Sequence, residues 1–333
     1  MPIRAVIIGA GLMGSWHAHT IKKLGAELVA VVDDKIDSAT ELCRRFGGKA
    51  FSSLNEVTAK VEFDVLHICT PLGSHFPLAQ QALKADKHVI VEKPLVDDLS
   101  EFKVLQQIAQ EKRRLICPVH QFAFQRGVLE AKHIIQERAP HKPSAVVFDF
   151  ASAGGQGKPA SQLNTIIVEI LPHPLSILQK LFPEEPLAVE RWQHLHEKAG
   201  ELITIGSHAG VPVIIKMSMS ARPTHSYLTI YHASGAIHVN LFHGYAVKES
   251  PVVSRITKIT QPFVLGLKTL NAAFVNLIRR ALTGESAYPG LRCLINDCYA
   301  AIEQQSSALL SIEQTAGVIG ACKIFQEKLN VNY

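Results

Sequence analysis

The sequence predicts an α/β protein: a doubly wound parallel sheet at the N-terminus, followed by a β-rich second domain. Three observations carry this. The apolar run AVII, too short for a helix, stops at a glycine that opens GAGLMG. Strand and helix patterns then alternate as far as RLICPVH, near residue 120. Beyond that point the segments SAVVFDF, PLAVERWQHL, ELITIGS, VPVIIKMSMSA, YLTIYHA and AIHVNLF are separated by glycine, proline and polar turns, and they predict about six strands in one sheet.

The first element is the strand Ile3 to Ile8 with its G-x-G-x-x-G turn. Gly9 permits the tight turn, Gly11 removes a Cβ that would block a pyrophosphate, and Gly14 lets the next helix pack on its strand. Phosphate would sit on the exposed amides of the helix start, beside Leu12 and Met13. SWHAHTIKKL continues as that helix to Gly25, and ELVAVV is a second strand ending at Asp33 and Asp34. An acidic residue about 20 positions past the glycines is where a ribose hydroxyl acceptor belongs, so the pattern predicts a dinucleotide site. The Asp33 carboxylate accepts from a ribose and repels a 2'-phosphate, which favours NAD over NADP, while Lys35, Arg44 and Arg45 are cations that would hold such a phosphate.

DSATELCRRF is the next helix, followed by a short strand at residues 49–51 and a helix around residues 55–59. DVLHICT is a strand that ends at Thr70 and Pro71, where proline stops the ladder at the carboxyl edge of the sheet. In open parallel sheets that edge binds ligands. HFPLAQQALKAD is a helix and KHVIVE a strand, which runs into Glu92, Lys93 and Pro94. A helix from about residue 97 to 112 leads to RLICPVH, the last strand of the domain. The connection to the second domain is expected in the helical segment from about residue 127 to 138. Past Pro262, FVLGLKTLNAAFVNLIRRAL, LRCLINDCYAAIEQQ and EQTAGVIGACKIFQEKL are helical, with TGESAYPG as the break between the first two.

Totals bound the reading. The chain of 333 residues has room for two domains, and 47% hydrophobic with 19% charged residues is globular composition. The formal charge of +5 comes without a run of lysine and arginine, so neither nucleic acid nor a membrane is an expected partner. No apolar run approaches the roughly 20 residues of a membrane span, and the chain enters its first strand after MPIR, so a cytoplasmic enzyme is expected. Six cysteines without a C-x-x-C pair are expected to be free thiols, Cys69 and Cys117 among them in apolar strand ends. The histidine pairs His17 with His19 and His194 with His196 lack a carboxylate or cysteine at ligand spacing, so no metal is expected.

Taken together, VIIGAGLMGSWHA, VVDD, ICTPLGSHFPLAQQALKADKHVIVEKP and the segment around His173 resemble one family, the glucose-fructose oxidoreductase, inositol dehydrogenase and rhizopine catabolism group (Gfo/Idh/MocA). The resemblance implies an NAD-binding Rossmann domain over residues 1–120. It also implies a substrate-binding and oligomerisation α/β domain over 121–333, built on a large, mostly antiparallel sheet open on one face. It further implies that Lys93 is the active-site lysine, that Glu92 touches the nicotinamide ribose, and that the Lys93–Pro94 peptide is cis. Thr70, Pro71 and His75 match positions lining the cofactor, although His75 would equally cap the helix it begins.

Two departures from the family pattern matter. Where relatives carry aspartate four residues before a histidine, this chain has Glu169 and His173. One helical turn would put both on one face, with His173 moving a proton and Glu169 orienting it or holding a substrate hydroxyl; the competing reading is a buried core histidine. At PVHQFAFQRG, His120 and Gln121 are candidates to face nicotinamide or substrate, while Phe122 and Phe124 would serve as packing between the domains. The function implied is hydride transfer between NAD and a secondary alcohol or ketone of a polyol, sugar or nucleotide sugar, by a homodimer or homotetramer. An NAD-binding regulator and an NAD-assisted glycoside hydrolase are the alternatives on the same fold.

Overall fold

The computed structural model describes residues 2–138, 141–251, 254–285, 287–306 and 311–331. The chain runs β1 (Arg4–Ile8), α1 (Leu12–Lys23), β2 (Glu27–Val32), α2 (Ile36–Phe46), β3 (Lys49–Phe51), α3 (Leu54–Lys60), β4 (Val65–Ile68), α4 (His75–Lys84), β5 (His88–Val91), α5 (Leu99–Lys112) and β6 (Ile116–Pro118). It continues through α6 (Arg126–Glu137), β7 (Ala145–Ala151), α7 (Ala160–Ile170), α8 (Pro172–Leu181), β8 (Gln193–Leu195), β9 (Glu201–His208), β10 (Val211–Ser218), β11 (His225–His232), β12 (Gly235–Asn240) and β13 (Tyr245–Glu249). Three helices follow: α9 (Arg255–Thr283), α10 (Leu291–Glu303) and α11 (Ile312–Lys328).

Two compact units result, residues 1–120 with 291–320 and residues 121–290 with 321–333. The break at 120/121 is where the strand and helix alternation ends. α10 and the start of α11 group with the first unit, not with the residues from 121 to 290. The connection also precedes α6, which packs within the second unit. Gly127 there donates to the Gly244 carbonyl, and a Cβ on Gly127 would meet the Tyr245 backbone at 2.9 Å.

The first unit holds a six-stranded parallel sheet in the order β3-β2-β1-β4-β5-β6, the doubly wound arrangement with its switch point between β1 and β4. Its strands are buried on both faces and accordingly read as continuous apolar runs. Val6, Ile8, Leu66, Ile68, Val89 and Val91 share a core with Leu83 of α4 and Leu105 of α5. Cys117 of β6 is joined to Cys298 of α10, whereas Cys43 and Cys69 are free thiols. This corrects the expectation of free thiols throughout. The two partners lie 181 residues apart, so no local spacing announced them.

The second unit holds seven strands in the order β13-β12-β11-β7-β10-β9-β8, with β7 and β10 parallel and every other neighbour antiparallel. The additional strand is YAVKE at residues 245–249, and PLAVERWQHL supplies only residues 193–195. One face is core, with Phe148 paired between Ile215 and Leu228, all fully buried. The other is exposed and mixed: the Lys216 ammonium stands 3.4 Å from Asp149, and His225 stacks on Tyr227. The helix after the sheet starts earlier than expected, at Arg255. Ser254 and Thr257 cap it reciprocally, and Pro262 lies inside it.

Candidate functional site

The site begins with three glycines, each required for its own reason. Gly9 has φ +95°, and a Cβ there would lie 2.7 Å from the Cys69 carbonyl oxygen. A Cβ on Gly14 would run into the Gly9 carbonyl. At Gly11 a Cβ would meet no protein atom within 4 Å, so this glycine opens a cradle rather than relieving a clash. Gly11 also caps α1 with no side chain, and the first turn holds no acidic residue. A helix start of this kind suits an anion. Leu12 is exposed at the rim, with Met13 half-buried beside it.

Asp33 stands at the end of β2, half-buried, and accepts from the Ala10 amide at 2.8 Å and the Lys35 amide at 2.9 Å. Its carboxylate is thus fixed against the glycine turn, while Asp34 is exposed. Of the cations that would hold a 2'-phosphate, Arg44 is paired with Glu41 at 2.8 Å and Arg45 donates to Ser15 at 3.3 Å. The acceptor at Asp33, the open cradle and the uncapped helix fit NAD.

One residue beyond the strands, the ladder continues across the carboxyl edge. Gly9 donates to Val32, Cys69 to Ile8, Glu92 to Ile68 and Val119 to Val91, all at 2.8–2.9 Å. Glu92 and His120 are thereby brought to the ends of adjacent strands, with Lys93 following Glu92. The Lys93–Pro94 peptide is cis. His75 opens α4, buried, with Nδ1 2.8 Å from the Pro94 carbonyl and Nε2 2.7 Å from the Thr70 carbonyl. Both ring nitrogens therefore face backbone, and His75 clamps the Thr70–Pro71 loop to the loop after β5.

Sequence reasoning missed the most unusual feature of this unit. Buried Glu92 faces His17 of α1 (Oε1 to Nε2, 3.1 Å), His17 faces His67 of β4 (Nδ1 to Nδ1, 2.8 Å), and His67 faces Tyr299 of α10 (Nε2 to the hydroxyl, 2.8 Å). The network sets the tautomers. With Glu92 accepting from His17 Nε2–H, neutral His17 accepts at Nδ1, so His67 donates from Nδ1 and accepts the Tyr299 hydroxyl at Nε2. Burial, and secondarily the neighbouring His17, holds His67 well below the usual histidine range, and burial pushes the Tyr299 hydroxyl well above the usual range for tyrosine. The signal available in DVLHICT was a lone histidine within an apolar strand. Its tyrosine partner lies 232 residues away.

His120 is buried and pushed down to about 4, chiefly by burial, with Lys93 lowering it further and Glu92 opposing. Its Nδ1 has no hydrogen-bond partner among the described residues, and neither does the buried Oε1 of Gln121. In the second unit, Glu169 ends α7 exposed, while His173 begins α8 buried. The single helix expected here is interrupted at Leu171. Pro172 and Pro174 cannot donate to the carbonyls of Val168 and Ile170. His173 stacks on Phe122 with ring centroids 4.1 Å apart and planes 15° from parallel, and Lys180 covers the Phe124 ring at 4.2 Å. Both aromatics thus have partners within the second unit. Among the described residues no group of three or more potential ligands would hold a metal ion.

Residues 3–120 match the family model described as "Oxidoreductase family, NAD-binding Rossmann fold". The chain is 28% identical over 196 residues to a UDP-N-acetylglucosamine 3-dehydrogenase of Acidithiobacillus ferrooxidans, covering 56% of each protein. It is 27% identical over 227 residues to inositol 2-dehydrogenase 4 of Saccharopolyspora erythraea, covering 65% of this chain and 66% of that one. The match therefore spans a little over half to just under two thirds of these curated relatives. A levoglucosan dehydrogenase solved with NADH and levoglucosan shares the fold, with a TM-score of 0.78, 17% identity and coverage of 99% of this chain and 98% of that one. Over residues 3–120, its NAD-binding part, the chain matches the Gfo/Idh/MocA oxidoreductases.

Proposed function

We propose that the protein is an NAD-dependent oxidoreductase that moves a hydride between nicotinamide and a secondary alcohol or ketone of a polyol, sugar or nucleotide sugar. The observation that carries this is the placing of Lys93 directly after Glu92, a carboxylate held by a buried hydrogen-bond chain at the carboxyl edge of the sheet that carries the glycine cradle. When bound, NAD supplies the hydride acceptor or donor. Gly9, Gly11, Gly14, Leu12 and Met13 would hold its phosphates, Asp33 and Asp34 its adenosine ribose, and Thr70, Pro71, Glu92 and Pro94 the region near the nicotinamide.

Lys93 takes the hydroxyl proton as the alcohol is oxidised, or returns it to the oxygen on reduction. His173 is the second proton carrier, oriented by its stack on Phe122, and Glu169 contacts a substrate hydroxyl. His120 and Gln121 each offer a buried polar atom with no protein partner, which a substrate or the nicotinamide amide would satisfy. Relatives named for UDP-N-acetylglucosamine and inositol support the substrate class. The protein works in the cytoplasm as a homodimer or homotetramer. Exposed Leu195, Ile205, Tyr227 and Tyr231 on the open sheet face support self-association there. Purified protein given NAD and a panel of polyols, sugars and nucleotide sugars should form NADH, and Lys93→Ala should lower turnover 10²- to 10⁴-fold while NAD still binds. Full turnover in Lys93→Ala would remove the assignment, and a product formed without net NADH would point to hydrolysis instead.

A further inference from the structure

The longest helix of the chain turns its polar side toward its own sheet and its apolar side to solvent. α9 meets the β13 side of the second unit through polar groups. Gln261 donates to Glu249 at 3.0 Å, Lys268 to the Lys248 carbonyl at 3.2 Å, and buried Asn276 to the His243 carbonyl at 2.9 Å. The opposite side is a stripe of Ile256, Ile259, Phe263, Leu267, Leu270 and Phe274, which are 59–74% exposed. Steps of three or four residues keep them in line along a helix about 44 Å long. A continuous apolar strip of this size on a surface marks an interaction site.

Charge identifies what covers it. α9 carries Arg255, Lys258, Lys268, Arg279 and Arg280 and no acidic residue. It thus holds five of the chain's 34 basic residues and none of its 29 acidic ones, which leaves the rest balanced at 29 and 29. The whole formal charge of the protein resides on this helix. At a turn of roughly 100° per residue, Arg255 and Arg280 flank the stripe about 80–100° from its centre, with Lys268 and Arg279 farther round at about 140–160°. Apolar side chains in the middle and cations at the rim, on a helix with a strong polar face, describe an element that lies in a lipid interface.

We propose that α9 docks the protein on a membrane surface containing anionic lipid, its stripe inserted at the level of the headgroups and its arginines and lysines at the phosphates. A second copy pairing α9 against α9 through the stripe would line the seam with Arg255 and Arg280 of both helices and no acidic residue of either. A span across the bilayer is a separate matter, and among the described residues no helix is long and apolar enough for one. The inference reverses the expectation of no membrane partner, which rested on charge summed over the chain. It is independent of the proposed catalysis.

The test is co-sedimentation of the full-length protein with phosphatidylcholine vesicles, with and without 30 mol% (about one lipid in three) phosphatidylserine. Binding should require the anionic lipid and weaken as salt rises. Arg255→Gln with Lys258→Gln and Arg279→Gln should weaken it about a hundredfold, at roughly fivefold per cation. Phe263→Ser with Phe274→Ser should abolish it, while NAD affinity and the light-scattering mass stay as in the wild type. No vesicle binding, or equal binding to neutral vesicles, overturns the proposal. So does a mass that falls to 36.5 kDa in the Phe263→Ser, Phe274→Ser variant, because α9 would then be covered by a second copy.

Discussion

The Nδ1 atoms of His17 and His67 lie 2.8 Å apart, so one proton is shared between two buried rings whose other nitrogens face Glu92 and Tyr299. Each ring depends on the next for its tautomer. Tyr299→Phe leaves His67 Nε2 without its donor and should destabilise the protein by about 1–3 kcal/mol, the cost of a buried polar group left unpaired. His67→Leu strands His17 by the same reasoning. Because both substitutions break one chain, the double variant should cost less than their sum, as read by urea unfolding of all three proteins. Strict additivity would mean that the chain does not act as a unit.

Selectivity between cofactors should depend on Asp33. Its carboxylate is anchored by the Ala10 and Lys35 amides, and Arg44 is committed to Glu41. Asp33→Ser removes a charged acceptor and the repulsion of a 2'-phosphate. The ratio of NAD to NADP affinity should fall roughly 10- to 100-fold, the range expected for a hydrogen bond to a charged group. Titration of cofactor fluorescence checks this, and an unchanged ratio would mean that β2 does not end at the ribose.

Much of the first unit was legible because its constraints are local. A strand, a glycine turn and a helix follow one another within Arg4 to Lys23, and Gly9 and Gly14 answer to the sheet edge and to a backbone a few residues away. The cis peptide at Lys93 came from motif resemblance. What escaped notice is long-range. Tyr299 and Cys298 are consecutive residues on α10, and both find partners in the sheet of the first unit, at His67 and Cys117. No periodicity shows where a C-terminal helix will land. The break between α7 and α8 was legible in principle, since Pro172 and Pro174 remove two donors, but the offset of four residues between Glu169 and His173 suggested an unbroken turn. α9 escaped for a different reason, because summation over the chain hid a charge confined to one helix.

Acid should destabilise the fold before its carboxylates titrate. Burial pushes His120 down to about 4, and His67 moves in the same direction. An unfolded chain takes up protons at its histidines near 6.5 while these folded rings stay neutral, so stability is full above about 6.5 and declines as pH falls toward 4. From pH 7 to pH 5 the shift of His120 alone costs about 2 kcal/mol. Urea unfolding at the two pH values should show the loss, and His120→Gln should reduce the slope. A wild-type slope of zero would mean that these rings are protonated in the folded state.

His173 is buried and stacked on Phe122, while Glu169 lies exposed across the interruption at Leu171. If His173 carries a proton, His173→Asn should lower kcat by about 10²-fold or more, the usual scale for losing a general acid or base, with NAD affinity unchanged. The pH profile of kcat/KM should lose one limb. Phe122→Leu keeps the histidine but removes the ring that orients it, so it should reduce kcat less and leave the limb in place. Glu169→Gln should raise KM with little change in kcat, because an exposed carboxylate that holds a substrate hydroxyl contributes equally to the ground and transition states. A His173→Asn enzyme that retains both rate and limb would assign the ring to packing against Phe122 and leave Lys93 as the proton carrier.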